Sequence, residues 1–233
     1  MDALTAPAPL GLFREALGVL ELPRLLLNAP DLAAQPKGSG QPVVLLPGYG
    51  AGDGSTALLR LYLRYLGYDA CGWGLGTNTG DVPALIPKAA QLVAEIAAET
   101  RQPVRLIGWS LGGYLAREAA RERPTAVSRV ITLGSPVIGG PKYTAVADVY
   151  RRQGYDLDAI EAGVADRERI PLQVPVTAIY SKTDGVVAWR ACIDSQNRNI
   201  EHVEVRTTHL GLGFAPDVYR VIAQRLAASS LAR

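Results

Sequence analysis

From Val43 onward, short apolar runs rich in β-branched residues alternate with segments of helical periodicity. Val43–Leu46, Tyr68–Trp73, Val104–Ile107, Val127–Leu133, Val174–Tyr180 and Ile200–Arg206 read as strands. Among and after them, Thr56–Leu66, Pro87–Thr100, Tyr114–Ala120 and Pro216–Ala228 read as helices. A strand that is apolar at consecutive positions must be covered on both faces, and helices between such strands supply the cover. The alternation therefore predicts an α/β fold: about six mainly parallel strands, right-handed crossovers, and helices on both faces. With 233 residues, 48% of them hydrophobic, and no linker in the middle, a single domain over 1–233 is expected.

Two stretches depart from the alternation. Pro141–Ile170 holds two helical patterns, about Tyr143–Gln153 and Leu157–Arg169, with no strand between them. This region, about 141–170, reads either as a small helical cap or lid or as a long crossover. The other stretch is the N-terminal region, about 1–40. Gly11–Asn28 reads as an amphipathic helix broken at Pro23, followed by a flexible connecting loop over Ala34–Gln41. Its only basic residues are Arg14 and Arg24, too few for a membrane-lying helix, so packing against the domain is expected. The opening Met1-Asp2-Ala3 lacks a basic stretch, and Glu15 and Glu21 interrupt the apolar residues beyond it. No signal peptide is expected, and the reading is cytoplasmic, although a chain with its signal removed would read the same.

Composition narrows the partners. A net charge of +2 with scattered basic residues gives no electrostatic reason to expect nucleic acid. No apolar run reaches the ~18 residues of a transmembrane helix. Cys71 and Cys192 belong to no Cys/His cluster, so no metal or other cofactor is expected and both read as free thiols.

Chemistry concentrates at Gly108-Trp109-Ser110-Leu111-Gly112, between the Val104–Ile107 strand and the Tyr114–Ala120 helix. In a chain with 24 glycines the G-x-S-x-G pattern alone has little weight; its place at a strand-to-helix turn gives it weight. Glycines on either side permit a sharp turn that lifts the serine hydroxyl clear of the sheet. The helix after the turn offers unpaired N–H groups to an anion.

A serine needs a base, and the base an orienting acid. Serine hydrolases built on this turn carry them in the order Ser, Asp/Glu, His. Of the two histidines, His202 falls inside a strand, whereas His209 comes after it in a loop at the strand's C-terminal end, where ligands collect in parallel sheets. The acid should come after the preceding strand, where Asp184 lies in Thr183-Asp184-Gly185; Asp194 is its competitor. Asp-Gly is also an ordinary turn dipeptide. Oxyanion donors are expected from the backbone N–H of Leu111 and, in Pro47-Gly48-Tyr49-Gly50, that of Tyr49.

Together these motifs, with Gly108–Gly113 and His209-Leu210-Gly211, make Val43–Leu226 resemble a compact bacterial α/β-hydrolase of the esterase/lipase type. The resemblance implies a Ser110–Asp184–His209 triad, an oxyanion hole at Tyr49 and Leu111, and no cofactor. It departs from many lipases in carrying Pro47-Gly48 where they carry His-Gly, which puts loop rigidity and acyl preference in question. It implies hydrolysis of a small-molecule or lipid carboxylic ester with an apolar acyl group, through an acyl-enzyme. Trp109, Trp73, Trp189 and Leu210 flank the catalytic loops as candidate substrate walls, although each reads equally as a core residue. A thioesterase or acyltransferase would use the same triad, and a catalytically silent ligand-binding protein could share the fold. Gly72–Asn78 resembles a glycine-rich loop near the site in some members, without an assigned chemistry.

Overall fold

The computed structural model describes residues 4–8 and 10–228; the opening Met1-Asp2-Ala3 lies outside them. Three short helices, α1 (Leu10–Glu15), α2 (Glu21–Leu27) and α3 (Ala29–Ala33), precede β1 (Pro42–Leu46). Next come α4 (Ala57–Tyr65), β2 (Asp69–Gly72), α5 (Val82–Thr100), β3 (Val104–Trp109), α6 (Leu111–Glu122) and β4 (Val127–Leu133). Two helices, α7 (Ala147–Arg152) and α8 (Leu157–Glu168), then separate β4 from β5 (Val176–Tyr180). The described chain closes with β6 (Ile200–Glu204) and α9 (Pro216–Ala227).

The strands form one parallel sheet in the order β2-β1-β3-β4-β5-β6. The chain moves from β1 to β2 on one side, then returns to place β3 on the other side of β1. Such a reversal opens a crevice at the carboxyl ends of the strands, here between β1 and β3.

β1 shows why the run is apolar throughout. Val43 and Leu45 enter the core with Leu59 and Leu63 of α4 and Val218 and Ile222 of α9. Val44 and Leu46 enter the opposite core with Val93 of α5 and Leu115 of α6. Each side chain so buried contributes roughly 1.5–3 kcal/mol. Because both faces of β1 are apolar, alternation cannot fix its register. Close packing can: Leu46 pairs with Gly108, and a methyl on Gly112 would overlap the Leu46 carbonyl oxygen.

Some boundaries differ from expectation. α5 begins at Val82, not Pro87, because Asp81 accepts from the Ala84 N–H at 3.3 Å and caps the helix. Pro87 then sits inside the helix and sacrifices one backbone bond. Pro23 does not break the N-terminal helix; it occupies the first turn of α2, where its missing N–H costs little. The irregularity is instead the 3-10 turn Ala16–Leu20. This segment packs on the domain through Leu25 and Leu32, which join the core with Val43, but also through two carboxylates. Glu15 and Glu21 are buried, whereas Phe13, Leu26 and Leu27 are 80%, 76% and 82% exposed.

The insert between β4 and β5 is the helical pair, preceded by the 3-10 turn Gly140–Tyr143. Lys142 bridges Asp158 and Glu161 at 2.5 and 2.6 Å, and Tyr143 Oη donates to Glu161 at 2.6 Å. At its far end, Glu168 of α8 accepts from the buried Arg117 of α6. Cys192 is buried and Cys71 half-buried, both unpaired. No described helix is long and apolar enough to cross a membrane.

Candidate active site

β3 ends at Trp109 and α6 starts at Leu111, so Ser110 alone makes the turn. Its backbone has φ 54° and ψ −125°, a conformation that costs an L-residue about 1–3 kcal/mol. The surroundings hold it there. Ser110 N–H donates to Leu133 O at 2.8 Å, and Gly113 N–H donates to Ser110 O at 2.9 Å. A methyl on Gly108 would overlap the Gly112 carbonyl, so α6 can leave the strand this steeply only with glycine on both sides.

Asp184 and His209 arrive on the loops after β5 and β6. His209 Nδ1 lies 2.7 Å from Asp184 Oδ2, with both side chains almost fully buried. Asp184 Oδ1 accepts from the N–H groups of Val186 and Val187 at 2.8 and 2.7 Å, which fixes the carboxylate plane. Trp109 Nε1 donates to His209 O at 3.2 Å, tying the His209 loop to the elbow. Gly134, directly after Leu133, fills the remaining corner; a side chain there would stand 3.0 Å from both Asp184 Oδ2 and His209 Nδ1.

The competing pair lies elsewhere. His202 Nε2 accepts from the Asp194 N–H at 3.1 Å, and burial lowers the His202 pKa. Asp194 binds Arg117 at 2.5 Å and Asn197 at 2.7 Å. Burial would raise its pKa, but the bond to Arg117 and its charge hold the carboxyl well below the usual range. This cluster anchors α6, α8 and the 194–197 loop.

The loop after β1 carries Tyr49. Gly48 lies close to the elbow, since a methyl there would be 3.2 Å from Ser110 Cβ. Asn78, read as part of an unassigned glycine-rich loop, sets the shape of this one. It is fully buried; its Nδ2 donates to Pro47 O at 2.9 Å and its backbone carbonyl accepts from Gly50 N–H at 2.8 Å. The Tyr49 ring packs on Tyr150 of α7 at 5.3 Å.

A cavity of about 440 Å³ opens between the α7–α8 insert and helices α5 and α6. Val82, Ile86, Leu111, Tyr114, Tyr150 and Ile160 contribute most of its apolar character. Burial raises the pKa of Tyr114 and Tyr150, so both phenols stay neutral. Arg167 also reaches it, but its charge is met by Glu118 and Glu122. The cavity thus presents no unpaired charge.

None of the four sequence-suggested wall residues lines it. Trp73 is fully buried in the sheet core, its Nε1 donating to Gly76 O at 2.9 Å. Trp109 packs in the opposite core and holds the base loop. Trp189 stacks on Tyr180 at 5.8 Å beneath Lys182 and Arg190. Leu210 is 48% exposed. Proximity in sequence to the Ser110 and His209 loops does not place a side chain on this cavity. The cavity lining comes mainly from the insert, α5 and the first turn of α6. Glu15 carries no site signal in the sequence, where it only interrupts an apolar stretch, yet it is buried beside the His209 loop.

A sequence model described as "Alpha/beta hydrolase family" matches residues 43–228. A pimeloyl-[acyl-carrier protein] methyl ester esterase of Aliivibrio salmonicida is 29% identical over 115 residues, 48% of this chain and 41% of that protein. Its namesake from Aeromonas hydrophila subsp. hydrophila is 34% identical over 104 residues, 42% of this chain and 39% of that one. The matched stretch thus spans about two fifths of these curated relatives. Among solved structures, the Bacillus licheniformis lipase BlEst2 superposes with a TM-score of 0.62 at 16% identity, covering 84% of this chain and 95% of that one.

Proposed function

Since the chain belongs to the alpha/beta hydrolase family, we propose that it hydrolyses apolar carboxylic esters by acyl transfer through Ser110. The observation that carries this reading is the 2.7 Å pairing of His209 with Asp184 on the loops flanking the strained Ser110 turn. In the proposed reaction Ser110 Oγ attacks the ester carbonyl while His209 Nε2 takes its proton. Asp184 holds Nδ1–H and stabilises the imidazolium. The N–H groups of Tyr49 and Leu111 receive the oxyanion, each contributing about 3–4 kcal/mol in the transition state. Collapse breaks the C–O bond, and the leaving alkoxide takes the proton from His209. Water, activated by the same imidazole, then releases the acid.

Support for an apolar acyl group comes from the 440 Å³ cavity beside Leu111, of a size ordinary for ligand sites. The relatives' names narrow the test, because they specify a methyl ester of a carrier-bound acyl chain. Hydrolysis of p-nitrophenyl esters from acetyl to palmitoyl, alongside fatty acyl methyl esters, should show turnover that disappears in Ser110→Ala. Turnover retained in that variant would sink the assignment. A folded protein that neither turns over nor reacts with a fluorophosphonate would point to a silent binding protein. Labelling without ester turnover would point to a thioester or acyl-transfer substrate.

A further inference from the structure

The acid and base loops are separate pieces of chain, and the family match does not include the residue that joins their outer sides. That joint is Glu15, the last residue of α1, 5% exposed and outside the matched residues 43–228. Its Oε1 accepts from Gly185 N–H at 2.7 Å and from His209 N–H at 3.1 Å. Its Oε2 accepts from Leu210 N–H at 2.7 Å. One carboxylate therefore grips the residue after the acid and the base itself. We propose that Glu15 is a positioning residue that sets the distance and angle between Asp184 and His209. This rests on the serine-hydrolase reading only for its kinetic consequence.

Three features make the geometry more than a generic cap. First, Glu15 receives three backbone donors, none from its own segment, so its ordering is spent on the two loops. Hydrogen bonds to a charged acceptor are among the stronger ones. Second, the segment is seated for it. Gly11 lies against Gly185, where a methyl on Gly11 would stand 3.1 Å from the Gly185 Cα, and Gly18 lies against Gly211. Third, a second carboxylate supports the first: Glu21 Oε1 accepts from Thr207 Oγ1 at 2.7 Å, two residues before His209. The Thr207 carbonyl in turn accepts from Ser181 and Thr183 on the acid loop, at 2.5 and 2.8 Å. This explains why Glu15 and Glu21 point inward, where loop N–H and hydroxyl groups await them.

Glu15→Ala removes all three bonds. Glu15→Gln preserves size but sets an amide N–H₂ against at least one backbone donor. Phe13→Ser, at an 80% exposed position on the same segment, changes the helix without touching either loop. For Glu15→Ala, kcat on p-nitrophenyl butyrate should fall about 100-fold, as expected for a catalytic group misplaced by an ångström, with KM changed less than about threefold. Glu15→Gln should fall between it and wild type, and Phe13→Ser should match wild type. Rates are referred to the fluorophosphonate end point, which counts folded, labelled serines.

The low-field Nδ1 proton of His209 in ¹⁵N-histidine-labelled protein supplies a readout independent of substrate; His202→Gln assigns it. Its resonance should be present in wild type and Phe13→Ser, and broadened or shifted in Glu15→Gln. Wild-type kcat and an unchanged resonance in Glu15→Gln and Glu15→Ala would overturn the proposal. If Glu15→Ala fails to fold, Glu15→Gln decides alone by the same two readouts. Should wild type hydrolyse no ester while the resonance still depends on Glu15, the positioning role stands and the proposed reaction falls.

Discussion

The elbow and the Asp184–His209 pair solve the same problem, holding a side chain in one orientation, by opposite means. At the elbow everything needed is contiguous. Gly108, Ser110, Gly112 and Gly113 lie within six positions, and the strain on Ser110 is imposed by backbone packed on backbone. The acid–base pair is held by side chains gathered from across the chain. Asp184 and His209 depend on Trp109, Gly134 and, through the N-terminal segment, Glu15. A contiguous device tolerates almost no substitution but depends on little else. The gathered device can be adjusted at many points, each with a smaller effect.

The largest expected effects separate chemistry from framework. Ser110→Ala and His209→Ala should each lower kcat by roughly four orders of magnitude or more, with far-ultraviolet circular dichroism and thermal midpoint near wild type. A tenfold loss or less in either would remove that residue from the reaction. At the elbow's framework the outcome reverses. Gly112→Ala places a methyl on the Leu46 carbonyl oxygen and should cost about 4 kcal/mol in urea unfolding, or prevent folding altogether. Wild-type stability in that variant would show that β1 and α6 can separate, and the backbone account of the elbow would fail.

This contrast also explains which features the sequence revealed. The parallel sheet was legible because strands covered on both faces must be apolar at successive positions, as in Val43–Leu46. The elbow was legible because its glycines are neighbours. Asp184 and His209 stand out in the sequence because chain order and strand ends restrict the choice to few candidates, and the fold brings the two together at 2.7 Å. Glu15 could not, since a glutamate among leucines reads as an exposed polar residue; only the fold brings it to the Gly185 and His209 N–H groups. Asn78 was hidden for the same reason, its partners Pro47 and Gly50 lying on another loop. Whether Trp73, Trp109, Trp189 and Leu210 face a ligand or the core is not legible in the sequence, because adjacency along the chain carries no information on which face a side chain takes.

The second pair, Asp194 and His202, sharpens the comparison because its chemistry resembles that of the first while its role differs. Asp194→Asn should cost about 3 kcal/mol, since it leaves Arg117 buried with one carboxylate fewer. Turnover per folded molecule should stay at the wild-type value. The pH dependence comes from the lowered Asp194 pKa. In the unfolded chain the group titrates near the ordinary value, about 3.9. Its contribution is therefore complete above that pH and is lost as pH falls toward the lower native value. Burial raises Glu168 beside it, so that group acts in the opposite sense and opposes part of the loss. Urea midpoints below pH 4 should fall less steeply in Asp194→Asn than in wild type. Equal slopes would remove Asp194 from the acid limb.

The smallest effect concerns selectivity. Gly163 lies on α8 and lines the 440 Å³ cavity, and a Cβ built on it meets no atom within 4 Å. Glycine within a helix costs roughly 0.8–1 kcal/mol relative to alanine, a cost accepted here without any close packing to require it. Gly163→Ala should therefore raise stability by up to about 1 kcal/mol and leave the rate on an acetyl ester unchanged. Gly163→Leu adds bulk to the same open space. It should shorten the preferred acyl chain, lowering kcat/KM for long p-nitrophenyl esters by about tenfold relative to acetyl, the discrimination that one or two methylenes give in an apolar pocket. If instead every ester slows equally, the cavity does not receive the acyl group. The insert would then act on catalysis through its contact with Tyr49, so that the oxyanion loop, like the base loop, would be positioned by a remote segment.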